Sequence, residues 1–179
     1  MFPSGRMVVV LKVVVLLVFA FSPARALAGP EIFHTQGAET GDFPAGAVVD
    51  GSWDVIGSSA AAHSGVFGFD IYGPTATGGD TLTLPISSAG YHTIVVSLWG
   101  KVRSGLKGDD QVTFEWTVNG TDRTLLQTIS ILAPGDWVSY SFNHPVTAND
   151  DPDLAVIFKA ILSSTSDRMG FDDVVIWGI

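Results

Sequence analysis

Short runs in which apolar and polar residues alternate recur along the chain after residue 30, separated by clusters of Gly, Asn, Asp, Ser and Pro. Successive side chains of a β-strand point to opposite faces, so such runs are typical of strands with one buried face. No segment after residue 30 has the periodicity of a convincing helix. The pattern predicts an all-β protein, a two-sheet antiparallel β-sandwich of the jelly-roll type.

The clearest strand is predicted over Tyr91–Val102. Alternation divides its side chains into two rows, because successive residues face opposite ways. One row, which includes Ile94, Val96 and Leu98, is aliphatic and is expected to face a core. The other row is mixed aromatic and polar, and its members are Tyr91, Thr93, Val95, Ser97, Trp99 and Lys101.

A second strand is predicted over Gln111–Val118. It is followed by Asn-Gly at 119–120, a strong hairpin signal, and by a return strand near 124–129. If the second strand paired beside the first, Glu115 would extend the mixed surface around Trp99. Further strands are predicted over Val66–Tyr72, Thr81–Leu84, Trp137–Phe142, Leu154–Ile161 and Phe171–Trp177.

The five tryptophans differ in what their positions predict. Trp116 shares a strand face with apolar residues, which predicts a place in the core. Trp53, Trp137 and Trp177 stand at strand positions where a sandwich usually packs an aromatic ring, so we expect them in the core as well. Trp99 lies in the mixed row, where a core position and a solvent-facing position are equally open.

A secretory leader is predicted over residues 1–28. Two basic residues precede an apolar run over 13–21, and Ala26 and Ala28 stand at the small-residue positions of a signal-peptidase site. The run is shorter than the roughly 20 residues that a membrane-spanning helix needs. We therefore expect cleavage after Ala28, a secreted chain with no membrane span, and a single β-sandwich domain over 29–179.

The charge balance narrows the range of partners. Three of the nine basic residues lie in the leader and all eighteen acidic residues follow it, so the mature chain would carry six basic and eighteen acidic residues, a net charge of −12. Nucleic acid and anionic membranes attract basic surfaces, so neither is an expected partner. The chain has no cysteine, which excludes disulfides, thiol catalysis and cysteine metal ligands.

The segment "GFDDVVIWGI" at the end of the chain places Asp172 and Asp173 at the start of an apolar strand. Alternation puts Asp172 on the same face as Val174 and Ile176. A carboxylate that faces a core is costly unless a donor or a cation compensates its charge. The alternatives at this point are a bound cation or capping by backbone N–H groups and water.

Three stretches together carry a family resemblance: "QGAETGDF", "WDVIGSSAAAHSGVFGFDI" and "FDDVVI". Their order and spacing resemble galactose-binding-type jelly-roll modules, which include many bacterial carbohydrate-binding modules, and more loosely the MAM domains of cell-surface proteins. The resemblance covers nearly all of the mature chain. It implies the β-sandwich fold and carbohydrate binding as an expected function.

The resemblance also implies a structural calcium ion between the first and last strands. Glu39 and Asp172, favoured over its neighbour Asp173, would supply carboxylates. Backbone carbonyl groups around His63 and Gly65 would complete the shell. Calcium takes six to eight oxygen ligands in flexible geometry, which suits such a set.

The sequence contains no recognised catalytic motif, and its four histidines have no pair at metal-ligand spacing. A non-catalytic module that binds a polysaccharide or a surface glycan is therefore the leading expectation. Its expected ligand-binding residues are Trp99, Tyr91, Lys101 and Glu115, since aromatic rings stack on sugar rings and polar groups bond their hydroxyls. The alternatives are a structural or adhesive surface component that self-associates through edge strands and, more weakly, a polysaccharide-active enzyme.

Overall fold

The structure, a computed structural model, describes residues 30–36, 38–58, 61–118, 122–130, 134–144 and 146–179. The expected leader and the 119–120 turn lie outside the described residues. The described ranges contain eleven strands: β1 Glu31–Gln36, β2 Val48–Asp50, β3 Trp53–Ile56, β4 Gly68–Tyr72, β5 Asp80–Pro85, β6 Val95–Val102, β7 Gln111–Val118, β8 Asp122–Ser130, β9 Val138–Asn143, β10 Ala155–Ile161 and β11 Arg168–Gly178.

Two antiparallel sheets face each other, which confirms the predicted all-β sandwich. Of the described strands, six form one sheet in the order β3-β4-β11-β6-β9, with β1 added beside β11, and five form the other in the order β2-β5-β10-β7-β8. A 3₁₀ turn, Val146–Ala148, is the helical element within the described ranges. Nowhere in those ranges is there a helix with the length and apolarity that crossing a bilayer requires.

Apolar side chains from both sheets fill the space between them. Val96 and Leu98 of β6 face inward, as the alternation predicts, and are almost completely buried. Phe114 of β7 reaches across from the five-stranded sheet, and its ring lies 5.0 Å from that of Phe142 and 5.6 Å from that of Phe171. The core therefore holds the sheets together through aromatic contacts as well as aliphatic packing.

The first predicted strand is shorter than expected because β6 begins at Val95. Thr93 has a φ of 55°, in the left-handed region, which no regular strand adopts. The two-residue alternation therefore does not extend back past Thr93. Tyr91 packs against the core instead of continuing the row that contains Trp99, so that part of the prediction was wrong.

Strand β11 changes neighbours halfway along its length. Its pairing with β4 ends at Phe171, and its pairing with β1 begins at Val174, both on the side away from β6. Asp172 and Asp173 fall between these two ladders. The register with β6 also shifts there, between Asp172 and Val175, and Asp173 has a φ of 51°. This β-bulge places the two acids in a gap between two neighbouring strands.

Candidate functional site

The bulge reverses the predicted direction of Asp172. Phe171 and Val174 both contribute to the core, although alternation would place them on opposite faces. Asp172 lies opposite Trp99 in the ladder with β6, and therefore shares the outer face of the six-stranded sheet. The prediction that Asp172 faces the same way as Val174 and Ile176 was wrong, because one extra residue in a strand exchanges its two faces.

Asp172 is nevertheless fully buried, because the loop around His63 covers it. The backbone N–H groups of His63 and Ser64 donate to Oδ2 of Asp172 at 2.8 and 3.1 Å. Oδ1 is buried and has no hydrogen-bond partner in the described part of the chain. Burial raises the pKa of the Asp172 carboxyl, against the N–H donors that lower it. One oxygen is thus satisfied and the other lacks a donor.

Asp173 binds the side chains of the same loop. Its Oδ2 lies 2.7 Å from Nδ1 of His63, and its Oδ1 accepts a hydrogen bond from Oγ of Ser64 at 2.6 Å. The two neighbouring acids therefore bind different parts of the loop: Asp172 accepts hydrogen bonds from its backbone, and Asp173 contacts its side chains. Together they fix the loop across the gap between β4 and β1.

Glu39 reaches the same loop from the other side. Its Oε2 accepts a hydrogen bond from the backbone N–H of Val66 at 3.0 Å. Gly65 lies against the same carboxylate, and a Cβ added there would stand 2.1 Å from Oε2; with a φ of +64°, the position strongly favours glycine. A cavity of about 470 Å³ adjoins the loop and is lined by Thr35, Glu39, Ser64, Gly65, Asp173, Val174 and Val175.

The five residues expected to hold a cation therefore meet at one place: Glu39, His63, Gly65, Asp172 and Asp173. Within the described ranges, no group of three or more His, Asp or Glu side chains is arranged to hold a metal ion. The side chains that meet here include three carboxylates, and carboxylate oxygens are ligands that calcium prefers. The partnerless Oδ1 of Asp172 is the observation that fits a cation at this place.

Trp99 lies on the outer face of the six-stranded sheet, and one face of its indole is covered. The ring of His63 stacks on it, with centroids 4.0 Å apart and planes within 10°. Trp137 meets the same His63 ring edge-on at 5.5 Å. Nζ of Lys101 lies 5.9 Å from the centre of the Trp137 ring, a cation–π contact. Trp137, expected in the core, is therefore part of this outer cluster.

The four expected ligand-binding residues do not form one surface. Trp99 and Lys101 share the outer face of β6, as predicted. Glu115 lies on β7, which belongs to the five-stranded sheet. Its neighbour Trp116 faces the core between the sheets, so Glu115 faces outward on the opposite side of the sandwich. Neither Glu115 nor Tyr91 extends the surface around Trp99.

Trp177, which was expected in the core, is 38% exposed on the same outer face. It lies opposite Val95 in the ladder between β11 and β6. A groove of about 330 Å³ runs beside it, lined by Pro30, Val95, Ser97, Ser141 and Trp177. Val174 and Ile176 are buried, so alternation places Val175 and Trp177 on the outer face. The core position expected for Trp177 was wrong because it was based on residue type instead of on this alternation.

Several solved structures share this fold. TmCBM61, solved in complex with β-1,4-galactotriose, has a TM-score of 0.58 and 15% identity over 80% of this chain and 94% of its own. The CBM22-1 xylan-binding domain of Paenibacillus barcinonensis Xyn10C has a TM-score of 0.52 and 15% identity over 84% and 96%. The K1 cleaved adhesin domain of Lys-gingipain from Porphyromonas gingivalis W83 has a TM-score of 0.60 and 13% identity over 83% and 98%.

The chain therefore has the β-sandwich fold of carbohydrate-binding modules and adhesin domains. At these identities, the likeness concerns the fold alone. No family model matches the sequence, and no curated protein matches it.

Proposed function

We propose that this chain is an exported, non-catalytic module that binds a polysaccharide or surface glycan. The observation that carries the proposal is the distribution of its tryptophans. Trp99, Trp137 and Trp177 gather on the outer face of the six-stranded sheet, where each is at least partly exposed. In the described part of the five-stranded sheet, the one tryptophan is Trp116, which is buried.

Indole rings on a solvent-facing sheet suit sugar recognition. A tryptophan combines a large apolar face with a single N–H donor, and a pyranose ring has an apolar C–H face bordered by hydroxyl groups. Polar groups surround the rings here: Ser139 lies opposite Trp99, and Ser141 lies opposite Ser97 in the pairing of β6 with β9. An apolar platform with a few directed polar groups is the usual composition of a ligand site.

The structural neighbours support the same class of ligand. One was solved with β-1,4-galactotriose and another is described as xylan-binding. Galactotriose and the xylose backbone of xylan are built from neutral sugars. We take the shared fold as support for the class of function, and the tryptophan face of this chain as the place where it would operate.

A structural calcium ion is part of the proposal. Glu39 and Asp172 would supply carboxylate oxygens, with Asp173 and backbone carbonyl groups near His63 and Gly65 beside them. The ion would neutralise charge at the gap between β4 and β1. The partnerless, buried Oδ1 of Asp172 supports this assignment, and so do the carboxylate oxygens of Glu39 and Asp173 on the same loop.

An adhesive building block is the second candidate. It is supported by the likeness to Lys-gingipain adhesin domains and by a pair of exposed apolar side chains, Ile32 and Trp177, which lie opposite each other on β1 and β11. Exposed apolar patches often mark contacts with other proteins. In that case the tryptophan face would meet a protein surface instead of a sugar.

Depletion by insoluble polysaccharides separates the two candidates. The mature protein, residues 29–179, is mixed in calcium with a panel that includes galactan and xylan, and the unbound fraction is measured. We expect the wild-type protein to be retained on at least one polymer and the double variant Trp137→Ala/Trp177→Ala to lose this retention. Val146→Ala, a control at an apolar position that is 81% exposed, should be retained like wild type. If folded protein stays unbound on every polymer and self-associates with rising concentration, the adhesive candidate replaces the first.

A further inference from the structure

The outer face of the six-stranded sheet contains two tryptophan positions with different access. At one end, His63 stacks on the indole of Trp99 at 4.0 Å, so that face of the indole is occupied by the protein itself. At the other end, Trp177 is 38% exposed and borders the groove of about 330 Å³. A sugar ring that stacked on the covered face of Trp99 would have to displace His63. A sugar ring could stack on the exposed part of Trp177 without moving His63.

The indole of Trp177 is held in place by a hydrogen-bonded side chain. Its Nε1 donates to Oγ of Ser97 at 3.3 Å, and Oγ of Ser97 in turn donates to the backbone carbonyl of Val175 at 3.4 Å. Ser97 therefore links the indole to the backbone of the strand that carries it. A platform fixed in this way loses less conformational freedom when a ligand binds.

The groove lining is uncharged. Its five residues are Pro30, Val95, Ser97, Ser141 and Trp177. The cavity beside the His63 loop is lined by the carboxylates of Glu39 and Asp173 and by Val175, which lies opposite Ser97 in the pairing of β11 with β6. The whole chain is strongly acidic as well, with eighteen acidic and nine basic residues. A polymer of uronic acids would meet repulsion from this surface, whereas a neutral polymer would not.

We propose that the groove at Trp177 is the primary sugar subsite, that it takes a short segment of a neutral oligosaccharide, and that Ser97 is the residue that positions the Trp177 indole. This inference rests on the proposed carbohydrate-binding function and refines it. The groove volume of about 330 Å³ is at the small end of the roughly 300–1,000 Å³ typical of ligand pockets. A groove of this size fits a short segment of a sugar chain. Trp99 is secondary because His63 covers it.

The test uses calorimetric titration of the mature protein with neutral hexasaccharides of glucose, mannose, xylose and galactose, beside the hexasaccharide of galacturonic acid. The pairing of β6 with β9 offers a matched control, Ser141→Ala. Ser141 lies opposite Ser97 and lines the same groove, whereas the indole N–H of Trp177 donates to Ser97. We expect Trp177→Ala to abolish binding and Trp99→Ala to retain it. Ser97→Ala should weaken binding roughly two- to tenfold, the effect of one hydrogen bond.

Two further variants isolate positioning from contact. Ser97→Thr keeps the hydroxyl and should restore wild-type affinity. In the ligand-free protein, the indole N–H resonance of Trp177 should shift in Ser97→Ala and stay in place in Ser141→Ala. Circular dichroism establishes that each variant is folded.

The outcomes separate the inference from the function on which it rests. If a neutral hexasaccharide binds Trp177→Ala as well as wild type, the subsite is wrong and the carbohydrate-binding function stands. If the galacturonic acid ligand alone binds, the neutral ligand class is wrong. If folded wild-type protein binds none of the ligands, the proposed function fails and this inference fails with it.

Discussion

The imidazole of His63 lies parallel to the indole of Trp99, with ring centroids 4.0 Å apart. His63 belongs to the loop before β4, and Trp99 belongs to β6, which lies two strands away across the sheet. Between them is β11, whose Asp172 and Asp173 bind the backbone and side chains of that loop. The candidate cation site and the tryptophan face are therefore joined through one loop.

Removal of the His63 ring should uncover Trp99. We expect His63→Ala to increase quenching of tryptophan fluorescence by acrylamide, because the covered indole face becomes accessible to solvent. His63 also contacts Trp137, so the measurement is repeated in a Trp99→Phe background, where most of the increase should disappear. An equal increase in both backgrounds would mean that Trp137 is the ring that His63 protects.

Substitution of Asp172 by Asn distinguishes a cation from simple capping. Asn keeps an oxygen that can accept from the His63 and Ser64 N–H groups, and it removes a buried charge whose second oxygen has no partner. Without metal, we expect Asp172→Asn to unfold at the same temperature as wild type or a higher one. With calcium, it should unfold at a lower temperature, because a ligand to the ion is lost.

The measurement is the melting temperature of both proteins in calcium and in excess EDTA. For a domain of this size, about 1 kcal/mol corresponds to a shift of roughly 2–4 °C. Asp50→Asn serves as the control, since Asp50 is exposed on a strand of the other sheet. If EDTA leaves the melting temperature of calcium-treated wild type unchanged, the calcium assignment is wrong.

Burial of His144 should make the protein sensitive to mild acid. The ring is buried, its two nitrogens have no partner in the described part of the chain, and burial lowers its pKa from the usual 6.5 to about 4. The unfolded chain then binds a proton that the folded chain does not. The stabilisation is complete above pH 6.5 and decreases as the pH falls from 6.5 to 4, by roughly 3 kcal/mol at most.

Urea unfolding at a series of pH values measures this effect. His144→Leu should remove most of the pH dependence between 6.5 and 4, whereas His92→Asn, at an exposed position, should leave it in place. An unchanged pH dependence in His144→Leu would show that other groups are responsible.

Phe114 is the central aromatic contact between the sheets, and its ring meets those of Tyr140, Phe142, Phe158 and Phe171. Truncation to Ala leaves a cavity with no side chain able to fill it. We expect Phe114→Ala to lower the free energy of unfolding by about 3–5 kcal/mol. Val138→Ala, a 48%-exposed control, should stay within about 0.5 kcal/mol. A loss below about 1 kcal/mol for Phe114→Ala would contradict this view of the core.

Residue alternation correctly predicted the two faces of β6. Val96 and Leu98 are buried and Ser97 is on the outer face, as the two-residue period requires. Alternation carries no information on which strands pair, and so Glu115 lies on the opposite side of the sandwich from Trp99. Pairing depends on contacts between residues that are distant in the sequence.

The site itself was harder to predict because it depends on one extra residue. The bulge at Asp172 and Asp173 reverses the facing of everything after it in β11, including Trp177, and no local pattern signals it. The family resemblance named Glu39, His63, Gly65 and the two acids as one group, and the structure places them in contact, although their role as metal ligands stays a prediction. It gave no indication of the groove beside Trp177.

The most direct test of a sugar-binding tryptophan face is an NMR titration that follows the five indole N–H resonances as a retained oligosaccharide is added. We expect the Trp177 resonance to move most, those of Trp99 and Trp137 to move less, and those of the core residues Trp53 and Trp116 to stay in place. If bound oligosaccharide leaves the Trp177, Trp99 and Trp137 resonances unmoved, the ligand binds elsewhere, and the central claim is wrong.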